Sequence, residues 1–316
     1  MDVRQVVPRD AIPSVDDPSF RREYDGDPGD RVIVVETGDG ARAYPLRYLN
    51  YHEIVNDRFD GRPVAITWCP LCGSAVVYER TADGRTLTFG VSGKLADDDL
   101  VMYDRETESE WKQSMGEAIS GPLAGVELPV VPAVVVSYRR FADEHPDGEV
   151  LAPPGGESEA ASDDDDDPAP VEYDDDPYRE YFESDGFGLA AHRGEGSREW
   201  DREDLDPKAV VLGVEVGEDA LGFPYDRVEA AGGVVHATVG GLDVAVFVTP
   251  DGIHAFEAAD REFEPTDDPG RFRADGTTWD GATGESAEGD GLARVPARRL
   301  FAFAWRDDHG DAFYGD

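Results

Sequence analysis

The chain has 316 residues, 40% hydrophobic and 10% aromatic, enough for two domains of ordinary size with cores of their own. Asp and Glu number 70 against 29 Lys and Arg, a formal net charge of −41, which excludes the basic face that a nucleic-acid binder needs. No apolar run approaches the roughly 18 residues that cross a bilayer, and Met1-Asp2-Val3-Arg4 begins no export signal, so the expected address is the cytoplasm.

Lysine is nearly eliminated: Lys94, Lys112 and Lys208 are the only ones. Acidity spread along the chain with so little lysine reads as adaptation to a salt-rich cytosol, where about 1 M salt shortens the Debye length to about 3 Å and self-repulsion is screened. The competing reading is an acidic surface for a basic partner.

In chain order, short β-branched and aromatic runs at 32–35, 64–68, 75–78 and 86–89 predict strands, and Asp39-Gly40 and Asp83-Gly84 predict hairpin turns. Pro45 opens a short helix reaching Asn50, and residues 138–145 predict another. Long crossover helices are missing, so the expected fold is mainly β (α+β), a partly closed sheet or sandwich.

Residues 32–49 align with 211–228: Glu36, Gly38, Ala41 and Pro45 meet identical residues, and Tyr44 meets Phe223. Residues 60–70 lie over 240–250, 102–107 over 278–283, and Val131-Pro132-Ala133 returns as Val295-Pro296-Ala297. This pattern predicts two tandem, pseudo-symmetric β-rich repeats, each with one or two short helices. The first covers residues 1–151 and the second 178–316. Between them, 152–177 is rich in Pro, Gly, Ser and Asp and reads as a disordered linker that cannot offset its ordering entropy by burial.

Chemistry concentrates in AITWCPLCGSAVVYER, residues 65–80, which holds both cysteines of the chain, Cys69 and Cys72. Two thiols this close can form a redox pair, although a strand, not the helix of thioredoxin, is expected after them. Equally, Cys-Pro-x-Cys-Gly between strands can act as a metal knuckle. His52 is then the candidate third ligand, and Met102 a thioether suited to copper better than zinc. In the third reading both cysteines are small buried hydrophobes. The second repeat has Thr249-Pro250-Asp251-Gly252 here, so a site of this kind exists once per chain.

The strings ARAYPLRYLNYHEIVND, RPVAITWCPLCGSAVVYER, LTFGVSGKL, DLVMYDRETESEW and GEAISGPLAG, within residues 41–125, closely resemble the domain of unknown function 3179 family; the composition makes this a haloarchaeal-like member. The resemblance implies no assigned activity. Some members carry selenocysteine at the motif, which implies redox chemistry. It carries over Cys69, Cys72 and His52 as catalytic or metal-ligating positions, with Ser92, Met102 and Trp111 behind them as cofactor-binding candidates. Many members have an export signal that is missing here. The expectation is a thiol redox or metal-dependent protein, using zinc or copper, with an unknown small molecule or redox partner and no membrane span. It requires the sulfurs at an accessible turn with an imidazole close by. The alternative is a non-catalytic binding scaffold of two repeats.

Overall fold

In the computed structural model, which describes residues 1–38, 40–162 and 168–316, the strand Arg31–Thr37 is buried on both faces. Ile33 and Val35 pack with Tyr44 and Trp68, while Val32 and Val34 pack with Phe141 and Val150. Side chains alternate across a strand, so an unbroken apolar run is what a strand covered on both sides requires. Arg31–Thr37 pairs with Gly40–Pro45; Asp39, in the turn expected between them, lies outside the described residues. Pro45 then fixes the chain at φ −63° and ψ 128°, and the helix Leu46–His52 follows.

The protein is mainly β, and its described helices are short; Ala302–His309 has eight residues. None is long and apolar enough to cross a membrane. The expected helix at 138–145 is observed as Tyr138–Glu144, with Ser137 accepting a hydrogen bond from Arg140 N–H at its start. The Asp83-Gly84 turn forms with both residues at positive φ. The strand expected at 86–89 is divided. Arg85–Thr86 closes a small hairpin and Phe89–Ala96 belongs to another sheet, because Leu87 N–H and Thr88 N–H bond instead to Arg80 O and the Glu106 carboxylate.

One six-stranded sheet draws on both halves of the chain, in the order Asp219–Pro224, Val210–Val216, Ala297–Phe301, Ser74–Glu79, Arg62–Cys69, Ile54–Phe59. Its seam is the pairing of Arg299 with Ala75. A five-stranded sheet, ordered Val3–Gln5, Phe89–Ala96, Asp99–Asp104, Glu110–Lys112, Glu117–Ser120, lies beside it. The apolar cluster at the centre combines Cys69, Cys72, Met102 and Trp111 with Leu300, Phe301, Phe303 and Trp305. The two halves share this central cluster, and each also holds apolar clusters of its own.

Residues 152–177 are the segment expected as a disordered linker. Residues 163–167 lie outside the described residues, but Glu157–Ser158 pairs with Ala169–Pro170. Tyr173 packs against Tyr48 and Tyr51, and Arg47 binds Tyr173 O and the Asp174 carboxylate. One half-buried aromatic ring and one counter-charge hold a segment whose average composition gave no sign of burial.

Candidate metal centre

The strands Arg62–Cys69 and Ser74–Glu79 form a hairpin whose last pair is Cys69 with Ser74. Residues 70–73 make the loop. Gly73 closes it at φ +55°, where a Cβ would stand 2.7 Å from the Phe301 ring, so glycine serves both the turn and the close approach. Three successive loop carbonyls are held by the C-terminal half. Tyr181 Oη donates to Leu71 O at 2.6 Å, Phe301 N–H to Cys72 O at 2.7 Å and Arg299 Nη1 to Gly73 O at 2.5 Å.

This clasp fixes both sulfurs. Cys69 is 2% exposed and Cys72 is sealed; the two sulfurs lie within 4.8 Å of each other, and Cys72 Sγ donates to Asp98 O at 3.2 Å. The expected accessible turn is thus a buried one. Cys69 nevertheless lines a cavity of about 530 Å³ together with Leu71, Glu53, Tyr51, Leu100 and Tyr178.

The third group in the cluster is Asp99. One ligand atom each from Cys69, Cys72 and Asp99 lies within 4.8 Å of the others, the only such group of three among the described residues. Asp97 and Asp98 form the preceding turn at positive φ, which Asp tolerates, and so bring Asp99 in at the first position of its strand. Its Oδ2 accepts from Ser114 N–H at 2.8 Å, while the buried Oδ1 has no partner. Glu53 stands close by. It caps the helix Leu46–His52 at φ +56°, and its buried Oε2 also has no partner.

The electrostatics are those of acids short of a cation. Burial pushes the Asp99 carboxyl up to about 6, against the pull of Lys112. Burial, then the charges of Glu159 and Asp99, push Glu53 up to about 8. Burial raises the Cys69 thiol, and Asp99 and Glu53 add to the rise. Burial likewise raises Cys72, where Lys112 acts in the opposite direction. Lys112 itself is engaged by Asp308 at 2.5 Å and Asp97 at 3.5 Å.

His52 is outside this group of three. Its Nδ1 meets Pro13 O at 2.9 Å and its Nε2 meets Tyr173 Oη at 2.7 Å, and burial holds its pKa down. Met102 and Trp111 are cross-strand partners in the same apolar cluster as the cysteines, with Trp111 Nε1 donating to Asp104 at 3.0 Å. Ser92 holds a bulge, donating to Val101 O and accepting from Lys94 N–H. Asp99 and Glu53 were not singled out from the sequence. Glu53 follows His52 directly, and Asp99 follows the two turn aspartates, which is the only local signal for it.

The donor set fits a metal of the zinc class. Two thiolates and a carboxylate supply three ligands at one point, and the cavity beside Cys69 leaves room for a fourth. A family model described as "Protein of unknown function (DUF3179)" matches residues 9–314. No curated protein and no solved structure matches the chain.

Proposed function

Because the chain belongs to the DUF3179 family of proteins of unknown function, its own residues carry its functional reading, and we propose that it is a metal-dependent protein binding one zinc-class cation through Cys69, Cys72 and Asp99. The observation behind this is the approach of three buried ligand atoms to within 4.8 Å of one another. A cation there would offset the burial, and the lesser repulsion between neighbours, that raises these acids. When bound, it supplies a Lewis acid facing the cavity. Glu53, raised to about 8, stands beside the cluster as a proton donor, or, once deprotonated, as a further carboxylate ligand. His52 acts at one remove, holding Tyr173 and with it the segment that flanks the cavity.

A redox dithiol is the second reading, favoured by the approach of the two sulfurs to within 4.8 Å. Against it stand the burial and the carboxylates, which disfavour the thiolate that such chemistry uses. Elemental analysis of protein purified without chelator, with thiol titration before and after chelation, decides. Zinc or copper at about one per chain, with thiols that become reactive on chelation, supports the metal site. Metal-free protein that cycles reversibly between dithiol and disulfide favours redox, and metal-free unreactive thiols leave the binding scaffold.

The tandem duplication is part of the same proposal. Its support is the common order of hairpin, proline, short helix and three-stranded meander in 31–79 and 210–257, with Pro224 at φ −63° and ψ 131° like Pro45. The second meander closes its turn at Thr249 with Gly252, where the first closes at Cys69 with Ser74. The first loop is longer by two residues, and the longer loop provides Cys72. Salt adaptation and a cytoplasmic address are inferred from composition, and an unfolding midpoint that rises steeply with KCl is the expected sign of the former.

A further inference from the structure

A second cavity, of about 260 Å³, lies where the halves meet, away from the cysteine loop's thiol side, and its walls include Ile33, Leu212, Ile253, Tyr225, Arg31 and Arg299. No Asp or Glu lines it. In a chain of net charge −41 a cavity with two guanidinium groups and no carboxylate is conspicuous.

Neither arginine forms an ion pair among the described residues. Arg31 Nη1 donates to Asp251 O at 2.6 Å and Arg299 Nη1 to Gly73 O at 2.5 Å, both backbone acceptors. The remaining donors of each fork have no protein partner among the described residues. Both also border a larger cleft lined by six aspartates, of which Asp30 and Asp174 pair with Arg47 and Asp25 with Arg21, while none of the six forms an ion pair with Arg31 or Arg299. Arg299 is half-buried, with its guanidinium 5.9 Å from the centre of the Trp68 ring. Its pKa is pushed down to about 10, first by burial and then by Arg31. Two unneutralised cations facing each other weaken the fold unless an anion joins them.

From this geometry we infer that the cavity binds a small organic anion, a carboxylate carrying a short apolar group. Arg31 and Arg299 grip the carboxylate through their planar forks, a geometry in which each guanidinium can donate two bonds. Ile33, Leu212 and Ile253 receive the apolar part. The volume suits a compact molecule and is below the usual range for larger ligands. Tyr225 also lines the cavity; burial and then Glu229 raise its hydroxyl pKa, with the Arg31 charge pulling the other way.

The test is calorimetric titration of the full-length protein with benzoate, with benzyl alcohol as a neutral isostere and with inorganic phosphate, at one fixed chloride concentration. Saturable one-site binding of benzoate is expected, at least ten-fold tighter than benzyl alcohol or phosphate. Arg31→Met and Arg299→Met each weaken it at least ten-fold, and Arg299→Lys falls between. Arg31 is exposed, so R31M keeps the test valid if R299M fails to fold. Equal binding of benzyl alcohol, unchanged binding by R31M, or no binding to the folded protein overturns the inference. Phosphate binding as tightly as benzoate overturns the apolar part and leaves a site for inorganic anions.

Discussion

The Asp99 carboxylate lies within 4.8 Å of the Cys72 sulfur, and both side chains are buried. Seventy acids make a nearby carboxylate unremarkable at the surface, but this one has an oxygen with no partner in the interior. Asp99→Asn keeps the shape of the group and removes its charge. Metal content is expected to fall from about one per chain to below about a tenth, with folding retained in the far-ultraviolet spectrum. Cys72→Ser is expected to do the same, and full metal occupancy in either variant would remove Asp99 or Cys72 from the ligand set.

Lys112 and Asp308 form a buried pair between the halves, 3% and 2% exposed at the side chain. Ser114 Oγ also donates to Asp308, at 2.6 Å. Lys112→Met leaves Asp308 charged and unmatched, and a loss of about 3–5 kcal/mol in unfolding free energy is expected. The double variant K112M/D308L is expected to recover most of it, because both charges are then gone. Denaturant unfolding of the three proteins checks both parts.

Gly73→Ala strains the chain twice, through φ +55° and through contact with the Phe301 ring. The expected loss is roughly 1–3 kcal/mol, accompanied by weaker metal retention in a chelator competition. Phe301→Leu added to G73A relieves the contact alone, so it is expected to return part of the stability and leave the backbone strain.

His254 is 1% exposed, with Nε2 at 3.2 Å from Thr249 Oγ1 and Nδ1 without a partner. Burial, then Arg294, Arg140 and Arg31, holds its pKa well below 6.5. The unfolded chain therefore takes up a proton as pH falls through about 6.5, and the folded chain does not. Stability falls below that pH by at most about 1.4 kcal/mol per unit from this group. His254→Gln is expected to lose about 1 kcal/mol less than the parent between pH 6.5 and 5.5, measured by denaturant unfolding in the same salt. Parallel pH profiles would show that His254 does not contribute.

The strands 32–35, 64–68 and 75–78 were legible because β-branched runs bounded by Gly and Asp leave few alternatives. Pro45 announced its helix by the same logic. The site was legible only in its sulfurs. Asp99 is one of three consecutive aspartates, and only the backbone turn at Asp97 and Asp98 distinguishes it from its neighbours. His52 and Glu53 are adjacent in sequence, but Glu53 leaves the helix at φ +56° and their side chains take different partners. The imidazole goes to Tyr173, while the carboxyl stays near the thiols. In the acidic segment, composition averages out Tyr173, the ring that packs against Tyr48 and Tyr51.

The clasp on the carbonyls of Leu71, Cys72 and Gly73 has a consequence for how the gene can be cut. All three donors come from residues past 180, so a fragment ending before Tyr181 would carry the whole thiol motif with its template missing. Sulfurs in such a fragment would wander, exposed and oxidisable, and assays on it would report ordinary cysteine reactivity. The C-terminal half, which has no cysteine of its own, is thereby the mould in which the pair is cast.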